Sequence, residues 1–215
     1  TVADVVPGLE FAVQAKAGFA SSNGARIRVL SNSWASSAPS TALQNAIAAA
    51  NGADMLVVTA AGNAGSNNDA SPVYPASYTL PNVVTVASST SADQRSPFSN
   101  YGATSVHLAA PGTAVLSTVP GNAYAVNQGT SMATAHVSGA AMLTLSMCTL
   151  TTPELKSLLL DSVDRLPAFS TTTAAGGRLN VRTMVQDCPH PNVTGVTLTS
   201  DVASPQPLGK TVTWT

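Results

Sequence analysis

Two short runs constrain this chain more than anything else in it. Residues 54–62 read "DMLVVTAAG" and residues 82–89 read "NVVTVASS", each continuously apolar where a half-exposed strand would alternate. Strands of that kind are covered on both faces, the situation of a parallel sheet packed between helices. The neighbouring segments supply the layers. "RIRVLSNSW" (26–34) reads as another strand, and "STALQNAIAAANG" (40–52) as a helix capped by Ser40 and closed by Gly52. An Ala-rich helix is expected from Ser131 to Leu145. A further helix opens with Thr152 as N-cap and Pro153 in the first position, running to about Ser162. Near the start, Val5, Leu9, Ala12 and Val13 carry helical spacing over Asp4–Lys16, although Pro7-Gly8 predicts a late start or a kink. Strands alternating with helices make this an α/β protein with a mostly parallel sheet.

Composition narrows the functional classes. Only 9% of the 215 residues are charged and the net charge is −1, so there is no basic footprint and no nucleic-acid partner is expected. No apolar run approaches the ~20 residues a helix needs to span a bilayer, and no membrane segment is expected. The chain begins at Thr1 without a signal sequence, and "VTLTSDVASPQPLGKTVTWT" at the other end alternates like exposed β-strands and stops inside one. Both features predict a piece of a longer polypeptide. The two cysteines, Cys148 and Cys188, would staple the Ala-rich helix to the last predicted one in an oxidising compartment, with two buried thiols as the alternative. Asn192-Val193-Thr194 matches a glycosylation acceptor, a triplet that also arises by chance.

The stretch "NQGTSMATAHVSG" (127–139) holds Ser131 and His136 in a setting of small residues. On a helix, five residues turn through about 500° and rise about 7.5 Å, which leaves the two side chains about 140° apart. A nucleophile and its base must approach within about 2.6–3.2 Å, so His136 reads as a helix residue packed on the core side. His107, in "SVHLAAPG", and His190, between two prolines, read as structural. Ser131 is different: Gly129 permits a sharp turn, and a helix start offers unpaired N–H groups to an anion. Ala133, Ala135, Gly139 and Ala140 would let that helix pack closely. On chemistry alone a plain N-cap serine remains the simpler reading.

Other segments change that balance. "SNSWAS" (31–36), "TAAGN" (59–63), "YPAS" (74–77), "FSNYG" (98–102), "APGT" (110–113) and "GTSMATAHVSGAAM" (129–142) occur in this order. Their combination resembles the subtilisin-like serine peptidases, the S8 family, over about residues 1–187. Ala135 stands where the family pattern has Pro, and "GGRLNV" (176–181) is similar to the segment that closes many bacterial members. The resemblance implies a subtilisin-like three-layer α/β fold, N-terminally truncated, over residues 1–188, whereas residues 189–215, with few helix formers and more Thr, Val and Pro, read as a linker and the first strands of an incomplete immunoglobulin-like β module. It makes Ser131 the nucleophile, Asn63 the side chain that donates to the oxyanion, and the Ser131 backbone N–H the second donor. Ser33, Trp34 and Ala35 align with the strand that pairs with substrate and forms one wall of the specificity pocket. Ala60, Ala61 and Gly62 align with the other wall, and Val73 with a position near its floor. Ala35-Ser36 replaces the usual glycine there and would narrow the pocket. Tyr74-Pro75 aligns with a cis peptide. No cofactor is implied with certainty; calcium is possible, with Asn67, Asn68 and Asp69 as oxygen ligands, against a plain polar turn.

The family's triad runs Asp, His, Ser along the chain, and the motifs that carry the Asp and the His are absent from these residues. The eight aspartates sit in other contexts: Asp4 at a helix start, Asp54 at a strand start, Asp69 and Asp93 in loops, Asp161, Asp164 and Asp187 at helix ends, Asp201 in a turn. The expected partners are thus the missing N-terminal part of the same catalytic domain and a polypeptide substrate, in a secreted, extracellular setting. Two rival readings stand beside this serine endopeptidase. One is an α/β-hydrolase esterase using Ser131, Asp161 or Asp164, and His190. The other is a non-catalytic protein that binds peptide as an added strand. Triad members act as a unit, and losing the histidine costs on the order of a million-fold in rate, a figure measured in a subtilisin. The 215 residues by themselves are therefore expected to give no measurable Ser131-dependent cleavage of casein or a chromogenic peptide; robust turnover lost in Ser131→Ala would show that the base lies within them.

Overall fold

The computed structural model describes residues 2–20 and 26–189; the β module expected after residue 189 lies outside them. Helix α1 spans Val2–Ala20, followed by strand β1 (Val29–Asn32), α2 (Thr41–Gly52), β2 (Leu56–Ala60), β3 (Val83–Ser89) and β4 (Leu108–Pro111). A two-stranded ribbon, β5 (Val115–Val119) with β6 (Ala123–Asn127), precedes α3 (Thr130–Met147) and α4 (Thr152–Asp161). The short strands β7 (Asp164–Arg165) and β8 (Gly177–Arg178) and helix α5 (Val181–Gln186) complete the described chain.

The main sheet has the order β1-β2-β3-β4-β8-β7, parallel throughout except for the antiparallel β7–β8 pair. Every residue of β2 and β3 is buried, as their apolar runs predict, and the burial extends to the polar Thr59, Thr85, Ser88 and Ser89. Because successive strand residues face opposite sides, each strand serves two cores. Leu56, Val58, Val84, Val86, Leu108 and Ala110 face α3, α4 and α5, where they meet Ala133, Val137, Leu155 and Met184. Val57 and Val83 face the other way, onto Leu43, Ile47 and Ala50 of α2 and Leu9 of α1. Helices therefore cover both faces, and the described chain is a three-layer α/β fold around a mostly parallel sheet.

Four local readings are corrected by the structure. Helix α1 does not start late, the first of the two expectations for Pro7-Gly8, but begins before Pro7 and contains it; the single i→i−4 bond given up there is outweighed as Val2, Val5, Val6, Ala12 and Val13 pack against the α2 core. The N-cap of α4 is Thr151, whose N–H donates to the Glu154 carboxylate at 2.7 Å in a capping box. Thr152 is instead the first helical residue, its N–H donated to Asp54 Oδ1 at 2.7 Å. Asp164 does not end a helix but sits in β7 and accepts from Arg178 and Asn180. On α3, Ala133 and Ala140 are buried while Ala135, His136 and Gly139 are exposed, so of the small residues expected to pack closely only the first pair meets the sheet, joined there by Ala141. The β5–β6 ribbon lacks a continuous apolar signal, and its turn is made by Gly121 (φ 86°) and Asn122 (φ 54°).

Cys148 caps the end of α3, and its disulfide to Cys188 reaches the far side of α5 with Cα atoms 6.2 Å apart. Cross-linking across a separation of 40 residues is worth about 4 kcal/mol in the chain-entropy account. Cys188→Ser is expected to lower unfolding stability by about that amount in urea titrations without reductant; a loss under about 1 kcal/mol would mean the unfolded ensemble is not what the bridge constrains.

Candidate active site

Parallel pairing of β1 with β2, in which Asn32 lies opposite Thr59, sends Ser33–Ala35 and Ala60–Gly62 out of the sheet side by side. Ligand sites of open parallel sheets form at this carboxyl end. The start of α3 is brought to the same place by a turn at Gly129 (φ 152°), whose N–H donates to the Gly112 carbonyl at 2.8 Å. A side chain on Gly112 would meet the Gly129 carbonyl at 2.7 Å, so glycine is required where the two turns touch.

Ser131 occupies the second helical position of α3. Its hydroxyl donates to the Ser33 carbonyl at 3.2 Å, and the Ser33 hydroxyl donates back to the Ser131 carbonyl at 3.1 Å. Thr130, fully buried, donates both its N–H and its hydroxyl to Asn63 Oδ1, at 2.9 and 3.0 Å. The same hydroxyl accepts from the Gly62 N–H at 3.2 Å. Because a backbone N–H can only donate, the Asn63 oxygen is the end that faces Thr130. The Nδ2 amide is thereby turned to the exposed side, with no acceptor among the described residues. Thr130 was not singled out from the sequence, although it lies between the Gly129 turn and Ser131.

The other expected site residues fall into two groups. Ser33 and Ala35 are exposed on one side of the site, with Ala60 and Ala61 buried and Gly62 (φ 108°) half-buried on the other. Ser36 and Tyr74 exchange backbone hydrogen bonds of 2.7 and 2.8 Å, and this carries half-buried Val73 to the Ala35 side. The Tyr74–Pro75 bond is cis, as expected. Trp34 is half-buried and packs against the apolar cluster that α1 and α2 form on the sheet.

Among the described residues, no carboxylate or imidazole hydrogen-bonds Ser131. His136 lies exposed, Nδ1 2.9 Å from the Met132 carbonyl, on the solvent side rather than the core side expected of it. Asn68 is buried and spent within the fold, Asn67 Oδ1 accepts the Asp69 N–H, and the Asp69 carboxylate accepts from Thr104 and Ser105. Against the cost of burial, those donors hold Asp69 down at about 2. No cluster of three His, Cys, Asp or Glu occurs among the described residues.

The sequence profile of the subtilase family, peptidase S8, matches residues 4–184. The chain belongs to the subtilase family. Its relatives include the subtilisin-like protease 2 of Plasmodium falciparum, 48% identical over 46% of this chain and 7% of that protein. The extracellular basic protease of Dichelobacter nodosus is 45% identical over 51% of this chain and 19% of its own length. The subtilisin of Bacillus pumilus is 45% identical over 50% of this chain and 38% of its own. The chain thus spans well under half the length of the curated relatives it matches.

One further histidine of this subtilase is set by burial. His107 lies in the loop entering β4, its Nδ1 accepting the Thr85 N–H at 3.0 Å, so the ring proton sits on Nε2. It lines a cavity of about 540 Å³ with Lys156, Tyr78 and Ser105. Burial, aided by the Lys156 charge, pushes the imidazole down from 6.5 to about 3. The unfolded chain then takes up the proton first, so stability is full above pH 6.5 and falls as the pH drops from there toward 3, at up to about 1.4 kcal/mol per pH unit. His107→Gln, which keeps an acceptor for Thr85, is expected to flatten this part of the pH dependence of the urea midpoint between pH 7 and 4.5; an unchanged slope would reassign the acid sensitivity.

Proposed function

We propose that this subtilase chain carries the nucleophile and the oxyanion donors of a serine endopeptidase. The observation that carries the reading is the lock on Asn63: with Oδ1 held by two donors from Thr130, the Nδ2 amide is fixed as an outward donor beside Ser131. The Ser131 N–H, at the start of α3, has no partner among the described residues and is the second donor. Preorganised donors of this kind stabilise charge that develops on a carbonyl oxygen only in the transition state.

The chemistry follows from this geometry. Ser131 Oγ attacks the carbonyl carbon of the scissile peptide bond, giving up its proton to a histidine from polypeptide outside these residues, which an aspartate orients. The oxyanion so formed is met by Asn63 Nδ2–H and the Ser131 N–H. Collapse expels the amine, which takes the proton from the histidine, and leaves an ester on Ser131 that water hydrolyses by the reverse sequence.

A substrate backbone lies as an added strand between Ser33–Ala35 and Ala60–Gly62. Ala35 and Ser36 narrow the pocket and Val73 forms part of its floor, which suits a small or medium apolar side chain. Residues 1–188 form the peptidase part. The disulfide fits an extracellular site of action.

The test uses the complete polypeptide that contains these residues. Ser131→Ala is expected to abolish peptide hydrolysis. Asn63→Ala is expected to lower kcat by about 10²–10³-fold with KM little changed, the range measured for loss of this donor in a subtilisin. Full kcat in Asn63→Ala would remove Asn63 from the oxyanion site. A correctly folded protein that binds peptide but never cleaves it would favour the non-catalytic reading.

A further inference from the structure

The loop that carries Asn63 is gripped from behind by a residue for which the reaction itself has no use. Asn100, 1% exposed, accepts on its single Oδ1 the N–H groups of Ala64 at 2.9 Å and Ser66 at 3.1 Å. Its own backbone N–H donates to the Gly62 carbonyl at 2.9 Å. The peptide groups on both sides of Asn63 are thus tied to one residue. Asn100 Nδ2 donates to Asn68 Oδ1 at 3.0 Å, and Asn68 Nδ2 donates to the Ala61 carbonyl at 2.8 Å. The chain of contacts leaves the loop at Ala64 and Ser66 and re-enters it at Ala61. Asn68, also 1% exposed, is held in turn by its N–H on the Tyr101 carbonyl at 2.7 Å.

The fit leaves no slack. A Cβ on Gly62 would stand 2.5 Å from Asn100 Nδ2, and Gly62 has a φ of 108°, so the backbone passes as close to the carboxamide as glycine allows. Two buried carboxamides in contact are a costly arrangement unless their polar groups are paired. Here both oxygens are used and each Nδ2 has an acceptor.

We infer that Asn100, with Asn68 behind it, is a positioning residue for the oxyanion donor: it fixes the backbone at residues 61–66 so that the Asn63 amide is held in place from the loop side while Thr130 holds it from the helix side. This inference rests on the proposed role of Asn63. Displacement of a catalytic group by about 1 Å can cost about 10²-fold in rate, and deleting the donor outright sets the ceiling at about 10²–10³. Asn100→Ala is therefore expected to lower kcat by roughly 10- to 100-fold with KM unchanged.

A double-mutant cycle in the complete protein separates positioning from general weakening. If Asn100 acts through Asn63, the Asn63→Ala/Asn100→Ala protein is no slower per active site than Asn63→Ala alone; additive losses would overturn the inference. Should Asn100→Ala fail to fold, Asn68→Ala leaves the Asn100 contacts to Ala64 and Ser66 in place and removes only the support behind them, and the same cycle applies. A second readout needs no turnover. Hydrogen exchange at the Ala64 and Ser66 amides is expected to be slow in the parent and much faster in Asn100→Ala, while amides in β3 stay protected. Unchanged exchange at those two amides would also overturn the inference. A parent protein without Ser131-dependent hydrolysis but with these amides protected would refute the function and leave the anchoring of the loop established.

Discussion

Burial of β2 and β3 on both faces is the constraint from which the rest follows. A strand with no exposed residue must find apolar cover above and below, and its backbone groups must be paired on both edges. Here α2 and α1 supply one layer and α3, α4 and α5 the other. Small residues at Ala133, Ala140 and Ala141, all buried, let the long axis of α3 lie close over the sheet. The same requirement explains the low charge of the chain. With so much of it inside two cores, side chains that tolerate burial, Ala, Val, Ser and Thr, replace those that do not.

A sequence so poor in charge must position its site by neutral hydrogen bonds. Asn63 is set by Thr130, Ser131 and Ser33 exchange a reciprocal pair, and Gly129 is fixed by Gly112. Beneath these turns the hydroxyls of Ser88, Ser96 and Thr113 form a chain with links of 2.7 and 2.6 Å. In a dry setting such bonds gain strength because water does not compete for them. In the proposed mechanism they also leave the oxyanion position free of a permanent counter-charge, so attraction arises only as the carbonyl oxygen becomes negative. The ionic contacts are kept elsewhere: Asp54 ties Arg28 at 3.1 Å beside the α4 N-terminus, and Arg178 links Asp93 and Asp164 at 3.0 and 2.7 Å.

The elements that dominate burial were legible in the sequence. Unbroken apolar runs announced β2 and β3, Ser40 announced α2, and the turn at Gly129 announced the start of α3. Features decided by tertiary contact were not. Pro7 argues locally against helix, yet the apolar face around it packs and the helix forms. Thr152 looks like a cap, but Glu154 pairs with Thr151 and shifts the cap by one residue. His136 was correctly separated from Ser131 by the helical period, while its exposure depends on which side of α3 meets the sheet, something spacing alone does not give. Thr130 and Asn100 were hidden for a related reason: each acts across 30 to 70 positions of sequence, and the only local trace is membership of the Gly-Thr-Ser and "FSNYG" segments.

On the proposed reading, catalysis is divided along the chain. Stabilising an oxyanion needs rigid donors, and rigidity comes from contacts among β2, β4 and α3, all of which these residues contain. Activating a serine hydroxyl needs a base whose proton affinity is tuned, and among the described residues no titratable side chain hydrogen-bonds Ser131: its hydroxyl rests on the Ser33 carbonyl, an acceptor that orients the group without taking its proton. In serine proteases stripped of the triad, oxyanion donors and substrate binding still retain about 10³–10⁴-fold over water. The two contributions are thus separable in energy as well as in sequence. With oxyanion donors built from neutral groups that have no pH dependence near neutrality, the site as proposed can receive its base from another stretch of polypeptide without being rebuilt around the added charge.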